Sequence, residues 1–349
     1  MNEIFNFQKL FRAYLDCREN KRKTINALKF EWDFERNLFS LLRELKQKTY
    51  KPGQSICFAV DKPTLREIFA ATFRDRVVHH LLILELLKLG ERIFIYDSYA
   101  CRKGKGTHKA VKRLKSFIHQ ITRNSTQGGY YLHLDISGFF MSIDQNILYS
   151  ILERLVLRQK RSETWKQDLL WLAKTIIFSK PTSNFRTKGN LSLLASIPAK
   201  KSLFHVKIDQ GLPIGNYSSQ FFANLYLNEL DQFIKRKLKC LYYVRYVDDL
   251  ILLSKDKEEL KRWREEVKTF LEKNLNMEIN ERKTKIQSLK NGVDFLGYLI
   301  KPKCTLVRKD VVKRLKGKLG AFNSLSLSLS KIQVLGHHQF LLRPLYPCQ

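Results

Sequence analysis

Cysteine is scarce and nowhere paired. The six in this 349-residue chain are Cys17, Cys57, Cys101, Cys240, Cys304 and Cys348, and none has the close neighbour that a zinc ribbon or a disulfide framework requires. They read as reduced core thiols in a cytoplasm. Long apolar runs are missing too. Stretches such as residues 81–87 are too short and interrupted to span a bilayer, and residues 1–12 lack the basic-then-apolar order of a signal peptide. A soluble, intracellular protein with no membrane partner is expected. Acids are the third shortage: 33 Asp and Glu face 64 Lys and Arg, a formal charge of +31 spread over most of the chain. Such a surface expects a polyanion. Nucleic acid fits best, because binding by counterion release needs many basic residues along a groove, whereas a membrane is usually met by one cluster. From charge alone a solvated basic surface or ribosome association stays open. Apolar residues, by contrast, make up 44% of the chain, enough to bury a large core in one elaborate domain or two to three subdomains.

Residues 4–47 carry apolar side chains at helical spacing (Phe5, Leu10, Phe11, Tyr14; Phe34, Leu38, Leu41, Leu42, Leu45) with basic residues between, which predicts two amphipathic helices stopped by Pro52 and Gly53. A third helix is expected over residues 73–89. A Gly/Lys-rich loop over 101–107 follows, whose Gly104 and Gly106 let backbone approach a phosphate. Residues 130–136, 242–253 and 293–300 are β-prone. Helix is expected over 147–157, 164–177, 219–238 and 257–275. Strands and helices alternate without a repeat, which suits an α+β sheet covered by helices on one face. Residues 311–322 can form a basic helix. The Ser/Leu alternation of 324–330 fits strand, helix or linker, and 337–349 gives no reading.

Chemistry centres on Tyr246-Val247-Asp248-Asp249, set between two apolar β-prone runs. Adjacent acids in that setting fall in the turn of a hairpin, exposed at one edge of a sheet. Uncompensated they repel; hard divalent cations remove the repulsion, and carboxylate oxygens are the ligands magnesium prefers. An Asp-Asp dipeptide alone is as readily an ordinary turn. A second acid tips the balance: Asp135 ends the apolar run Tyr130-Tyr131-Leu132-His133-Leu134. On adjacent strands, Asp135 and Asp248 would converge, and two metals held there would serve an in-line phosphoryl transfer.

Taken together, these motifs resemble those of reverse transcriptases, in the family's order over nearly the whole chain. Lys62-Pro63-Thr64-Leu65-Arg66-Glu67-Ile68 with Arg74-Asp75-Arg76-Val77-Val78 is similar to the fingers segment, and Ser98-Tyr99-Ala100-Cys101-Arg102-Lys103-Gly104 to the next finger motif. Asp135 to Phe140 resembles the first palm motif and Tyr246 to Asp249 the catalytic hairpin. Glu281-Arg282-Lys283-Thr284 resembles the lysine-bearing motif, and Phe295-Leu296-Gly297 the primer grip. The resemblance implies a right-hand polymerase: N-terminal helices and fingers in 1–85, fingers and palm with the catalytic site in 86–303, and a short helical thumb in 304–349. It implies an RNA-directed DNA polymerase using two Mg2+ ions. Asp135, Asp248 and the carbonyl of Ile136 would be metal ligands, and Asp249 a supporting acid. Arg66 and Lys62 would steady the deoxynucleoside triphosphate, with Lys283 also in the nucleotide site. Phe140 would be the steric gate whose ring leaves no room for a 2′-hydroxyl. Phe139 beside it should face the opposite way, so one of the two is expected in the core.

The stretch Leu212-Pro213-Ile214-Gly215-Asn216-Tyr217-Ser218-Ser219-Gln220 narrows the subfamily. Most reverse transcriptases carry Gln before the Gly, and Ser-Pro where this chain has Ser219-Gln220. The pattern here resembles the enzymes of diversity-generating retroelements, which copy a template RNA with frequent errors at adenines. Ile214, Gly215 and Gln220 are then nucleotide-site residues. Ile214 offers no hydrogen bond near the nascent pair, so discrimination must rely on shape. With a short thumb and no endonuclease or RNase H acids following, the resemblance also implies a small basic accessory protein beside the template RNA, primer and cDNA. A group II intron-like or retron-type enzyme of ordinary fidelity, and a catalytically silent RNA-binding maturase-like protein, are the alternatives.

Overall fold

The computed structural model describes residues 3–19, 21–22, 24–62 and 64–326, and these fall into two compact units. The first comprises the chain up to Ile95, Ile136–Phe233 and Lys268–Ile279. The second comprises Tyr96–Asp135, Ile234–Val267 and the chain from Asn280 onward.

In the first unit the expected pair of N-terminal helices is three, Phe7–Arg18, Ile25–Glu31 and Phe34–Lys46, because the basic stretch before Thr24 interrupts the periodicity. Helix Phe73–Ile93 is the spine, flanked by Phe7–Arg18 and Tyr217–Gln232. Its start is a reciprocal cap: the Asp75 backbone N–H donates to Thr72 Oγ1, and the Thr72 hydroxyl donates to Asp75 Oδ2 at 2.6 Å. Asp75 also accepts from Tyr50 Oη at 2.8 Å and from the Gly53 N–H at 3.0 Å. The break at Pro52-Gly53 is thereby tied to the spine's first turn. From it leave strands Ser55–Val60 and Arg66–Ala70, an antiparallel pair registered Ile56↔Ala70 to Val60↔Arg66, with Phe185–Thr187 added in parallel. These three strands were not predicted.

A four-stranded antiparallel sheet organises the second unit, in the order Tyr243–Tyr246, Asp249–Ser254, Tyr130–Asp135, Lys285–Ser288. Period-two alternation puts Tyr131, Val244, Ile251 and Leu253 on one face, and helix Thr107–Ile121 covers that face with Ala110, Leu114, Phe117, Ile118 and Ile121, all buried. Burial of each of the larger ones, Leu114, Phe117, Ile118 and Ile121, contributes about 1.5–3 kcal/mol. A second small sheet follows. Residues 293–300, expected as one strand, are a hairpin of Val293–Phe295 and Tyr298–Ile300, extended by Thr305–Val307. The last described helix is Lys309–Ser326; residues 327–349 lie outside the description. The α+β class is as expected. Among the described residues, no helix is long and apolar enough to cross a membrane.

Candidate active site

Sheet pairing decides where the acids stand. Strands Tyr130–Asp135 and Asp249–Ser254 are antiparallel neighbours registered so that Asp135 is directly opposite Asp249. Tyr246 also pairs with Asp249, which leaves Val247 and Asp248 as a two-residue hairpin turn. Val247 adopts φ +56, a left-handed conformation that a β-branched side chain disfavours. The fully buried Arg245 helps to hold that turn, its Nη1 donating to the Val247 carbonyl at 3.2 Å. Next to the hairpin, the chain at Ser98 bridges Arg245 in parallel, and Thr107 Oγ1, at the start of the backing helix, donates to Tyr246 Oη at 3.3 Å. Asp135, Asp248 and Asp249 thus gather at one end of the sheet.

Like charges directly opposite across a ladder destabilise it unless they are compensated. The compensation lies to the sides. Asn280 clamps Asp135 twice, its backbone N–H donating to the Asp135 carbonyl at 2.7 Å and its Nδ2 to Oδ1 at 3.0 Å. Lys283 Nζ reaches both carboxylate oxygens of Asp135, at 3.2 and 3.0 Å. Asp249, on the neighbouring strand, is met by His133 from the strand of Asp135, with His133 Nε2 2.5 Å from Asp249 Oδ1. Asn280, His133 and Arg245 did not emerge from the sequence, and Lys283, predicted to face the nucleotide, is found on Asp135.

No group of three or more His, Cys, Asp and Glu side chains among the described residues forms a ready-made metal cage. Magnesium does not require one, since it keeps several waters and is commonly bound by one or two carboxylates plus substrate phosphates. The donor chemistry fits: hard carboxylate oxygens at one sheet end, with a lysine ammonium already seated on Asp135 as a cation.

The remaining sequence-predicted residues divide between the units. In the first, Phe139 is buried and Phe140 only half-buried, which answers which of the two is core. Phe140 packs with Ile214 against Cys57, Phe69, Met141 and Leu203. Backbone bonds hold this cluster, with Leu212 N–H donating to Phe140 O at 2.8 Å and Phe69 N–H to Ile214 O at 2.9 Å. Gly215 follows at φ +120, and Asn216 Oδ1 accepts from the Ala71 N–H at 3.1 Å. Gln220 sits, half-buried, in the first turn of helix Tyr217–Gln232. Lys62 is exposed between strands Ser55–Val60 and Arg66–Ala70; Arg66 opens the second of them, its Nε donating to Thr64 Oγ1 at 3.2 Å. Ile136 is buried and bridges Ile279. In the second unit, Phe295 is core, while Leu296 (φ +52) and Gly297 (φ +86) form the hairpin's two-residue turn.

Residues 51–300 match the sequence model of a family described as reverse transcriptase (RNA-dependent DNA polymerase). Protein YkfC of Escherichia coli (strain K12) is 24% identical over 279 aligned residues, 71% of this chain and 66% of that protein. The group II intron-encoded protein LtrA of Lactococcus lactis subsp. cremoris is 24% identical over 345, covering 80% of this chain and 51% of that protein. The chain therefore spans less than two thirds of either relative. Among solved structures, telomerase from Candida albicans, in complex with a fragment of telomeric RNA, matches with a TM-score of 0.53 at 14% identity, over 78% of this chain and 51% of that one. Apo telomerase from Candida tropicalis, truncated from its C-terminal domain, matches with a TM-score of 0.52 at 14% identity, over 73% and 55%. At such identity the likeness is one of fold, and it is the right-hand polymerase fold expected from the sequence.

Proposed function

This chain belongs to the reverse transcriptase (RNA-dependent DNA polymerase) family, and on that premise we propose that it extends a primer on an RNA template, within a diversity-generating retroelement. The observation that carries the polymerase reading is the register of Asp135 against Asp249, with Asp248 in the adjoining turn. In the reaction, the primer 3′-hydroxyl oxygen attacks the α-phosphorus of a deoxynucleoside triphosphate. A new P–O bond forms, and the bond to the bridging oxygen of pyrophosphate breaks. Asp135, Asp248 and the Ile136 carbonyl would hold two Mg2+ ions. When bound, such ions lower the pKa of the attacking hydroxyl and neutralise charge on the leaving group.

This chain's own residues do the positioning. Asn280 fixes the Asp135 carboxylate, and Arg245 fixes the turn that presents Asp248. Lys62 and Arg66 on the finger hairpin meet the triphosphate, and Lys283 passes from Asp135 to nucleotide phosphate as that charge arrives. Phe140, half-buried beside Ile214, selects the deoxyribose. Phe295, Leu296 and Gly297 hold the primer. We assign residues 1–85 to N-terminal helices and fingers, 86–303 to fingers and palm, and 304–349 to a short thumb.

The retroelement subtype rests on Ile214, Gly215 and Gln220. Ile214 brings an apolar side chain to the Phe140 cluster where a hydrogen-bonding one would police the nascent pair, which supports error-prone copying. A small basic accessory protein of the same retroelement would act beside the template RNA, in the cytoplasm, the chain being bacterial or phage-encoded. The second reading, a group II intron-like enzyme of ordinary fidelity, is favoured by the likeness to LtrA.

The test is incorporation of deoxynucleotides on a primed RNA with and without Mg2+, comparing the native chain with Asp248→Asn. Loss of extension with RNA affinity retained is expected, because a metal ligand and not a groove contact is removed. Near-native extension by the variant would refute the assignment.

A further inference from the structure

Two acids face each other across one ladder, and something must keep them from acting as interchangeable ligands. Asp135 and Asp249 lie on the same sheet face in directly opposed register. Strand order places Asp249 on one side of Asp135 and the chain entering strand Lys285–Ser288 on the other. Asn280 and Lys283, on that entering segment, draw the Asp135 carboxylate to one side. His133 is two residues before Asp135 and pairs with Ile251, one pleat further from the strand end than Asp249. Its contact therefore draws the Asp249 carboxylate along the sheet, back from the strand end that carries Asp135 and the turn residue Asp248.

The geometry points to His133 as the positioning residue that holds Asp249 off the cation site, so that Asp135 and Asp248 bind the metals and Asp249 does not. An ionised carboxylate only accepts, so His133 Nε2 donates to Asp249 Oδ1 across 2.5 Å. The other ring nitrogen, Nδ1, is buried with no hydrogen-bond partner among the described residues. Leaving it unpaired costs free energy, a cost that an apolar side chain filling the same space would not carry, so packing alone does not account for a histidine here. The surrounding pairs sharpen the assignment. Lys285, the strand partner of His133 on its other flank, gives the ring no hydrogen bond. Among the described residues, the ring's polar engagement is with Asp249.

This inference deepens the polymerase reading and rests on it for its kinetic arm only. Its test uses the full chain with His133→Leu, His133→Gln and Asp249→Asn, singly and as the double variant His133→Leu/Asp249→Asn. Mn2+ binding is followed by electron paramagnetic resonance without nucleotide, and kcat and KM for deoxynucleotide are measured on primed RNA. In His133→Leu the released carboxylate becomes an additional hard ligand, so Mn2+ is bound at least as tightly while kcat falls about tenfold, the usual scale for lost outer-shell partners. His133→Gln, whose amide can still donate, recovers most of that kcat. In the Asp249→Asn background His133→Leu changes neither quantity further. Mn2+ affinity and kcat falling together, no rescue by Gln, or a full His133→Leu effect without the Asp249 carboxylate would each overturn the assignment. If the native chain fails to extend any primer, the polymerase reading falls, and the Mn2+ arm still decides the role of His133.

Discussion

Replacing Gly215 with Ala separates two costs that the structure makes distinct. The backbone there has φ +120, a region closed to L side chains, and a Cβ built on it would stand 2.7 Å from Ile68 Cγ2 and 3.3 Å from the Phe69 carbonyl oxygen. Holding a non-glycine residue in such a conformation costs about 1–3 kcal/mol. The overlap adds about 1–3 kcal/mol, because Ile68 is β-branched and stiff at χ1 and the other neighbour is backbone. The sum, about 2–6 kcal/mol, is a large part of the ~5–15 kcal/mol that stabilises a typical fold. The damage should begin at the bond from the Phe69 N–H to the Ile214 carbonyl, 2.9 Å long. Hydrogen exchange at the Phe69 amide is the local assay, and urea denaturation the global one. Ile68→Ala removes Cγ2, so the same glycine substitution should cost about 1–2 kcal/mol less in that background, leaving the conformational strain and the Phe69 carbonyl contact. A Gly215→Ala protein that loses less than about 0.5 kcal/mol, or a cycle with no coupling, would refute the reasoning.

Phe140→Ala should open the space beside Ile214 and let the enzyme accept ribonucleotides, read as the ratio of deoxy to ribo incorporation; an unchanged ratio removes Phe140 as the gate. Ile214→Gln should lower the error frequency when a defined RNA is copied and many cDNAs are sequenced, and low, evenly spread errors in the native chain would place it with ordinary reverse transcriptases. Burial lowers the pKa of His79 and His80 from 6.5 to about 4. The unfolded chain then binds more protons between those values, so stability is lost as pH falls from about 6.5 toward 4 and levels off below. His80→Gln should flatten that part of a denaturation-versus-pH series, and a slope identical to the native one would exclude His80 as a source.

What the sequence displayed of this site is what short range can encode. Tyr246-Val247-Asp248-Asp249 between apolar runs, and Asp135 at the end of another, are visible because hairpin and strand-end geometry follow from neighbours within a few residues. Phe139 and Phe140 were expected on opposite faces of an extended chain; they open the short helix Phe139–Ser142 instead, and burial shows that Phe139 is the core one. Strand Arg66–Ala70 was missed because Arg66-Glu67 interrupts the apolar pattern, and Glu67 is buried with bonds to Ser202 Oγ and the Leu203 N–H, both at 2.7 Å, made far along the chain. The single strand expected over 293–300 failed at Leu296, a residue that seldom takes φ +52 and so gives no turn signal.

The same limit explains why the acids looked unmanaged. Asp135 is 145 residues from Asn280, and His133 is 116 from Asp249. Asn, His and Lys at those positions carry no local pattern that marks them as partners of a carboxylate. Their roles appear only once the register of strand Tyr130–Asp135 against Asp249–Ser254 is fixed, and that register is itself set by the apolar residues on the two faces, since a slip of one would turn Leu132, Leu134, Leu250 and Leu252 to the wrong side. The core therefore aims the chemistry: the hydrophobic alternation that buries these leucines also determines which carboxylate faces which, and Asn280 and Lys283 on one flank and His133 on the ladder itself then hold Asp135 and Asp249 where the register has put them.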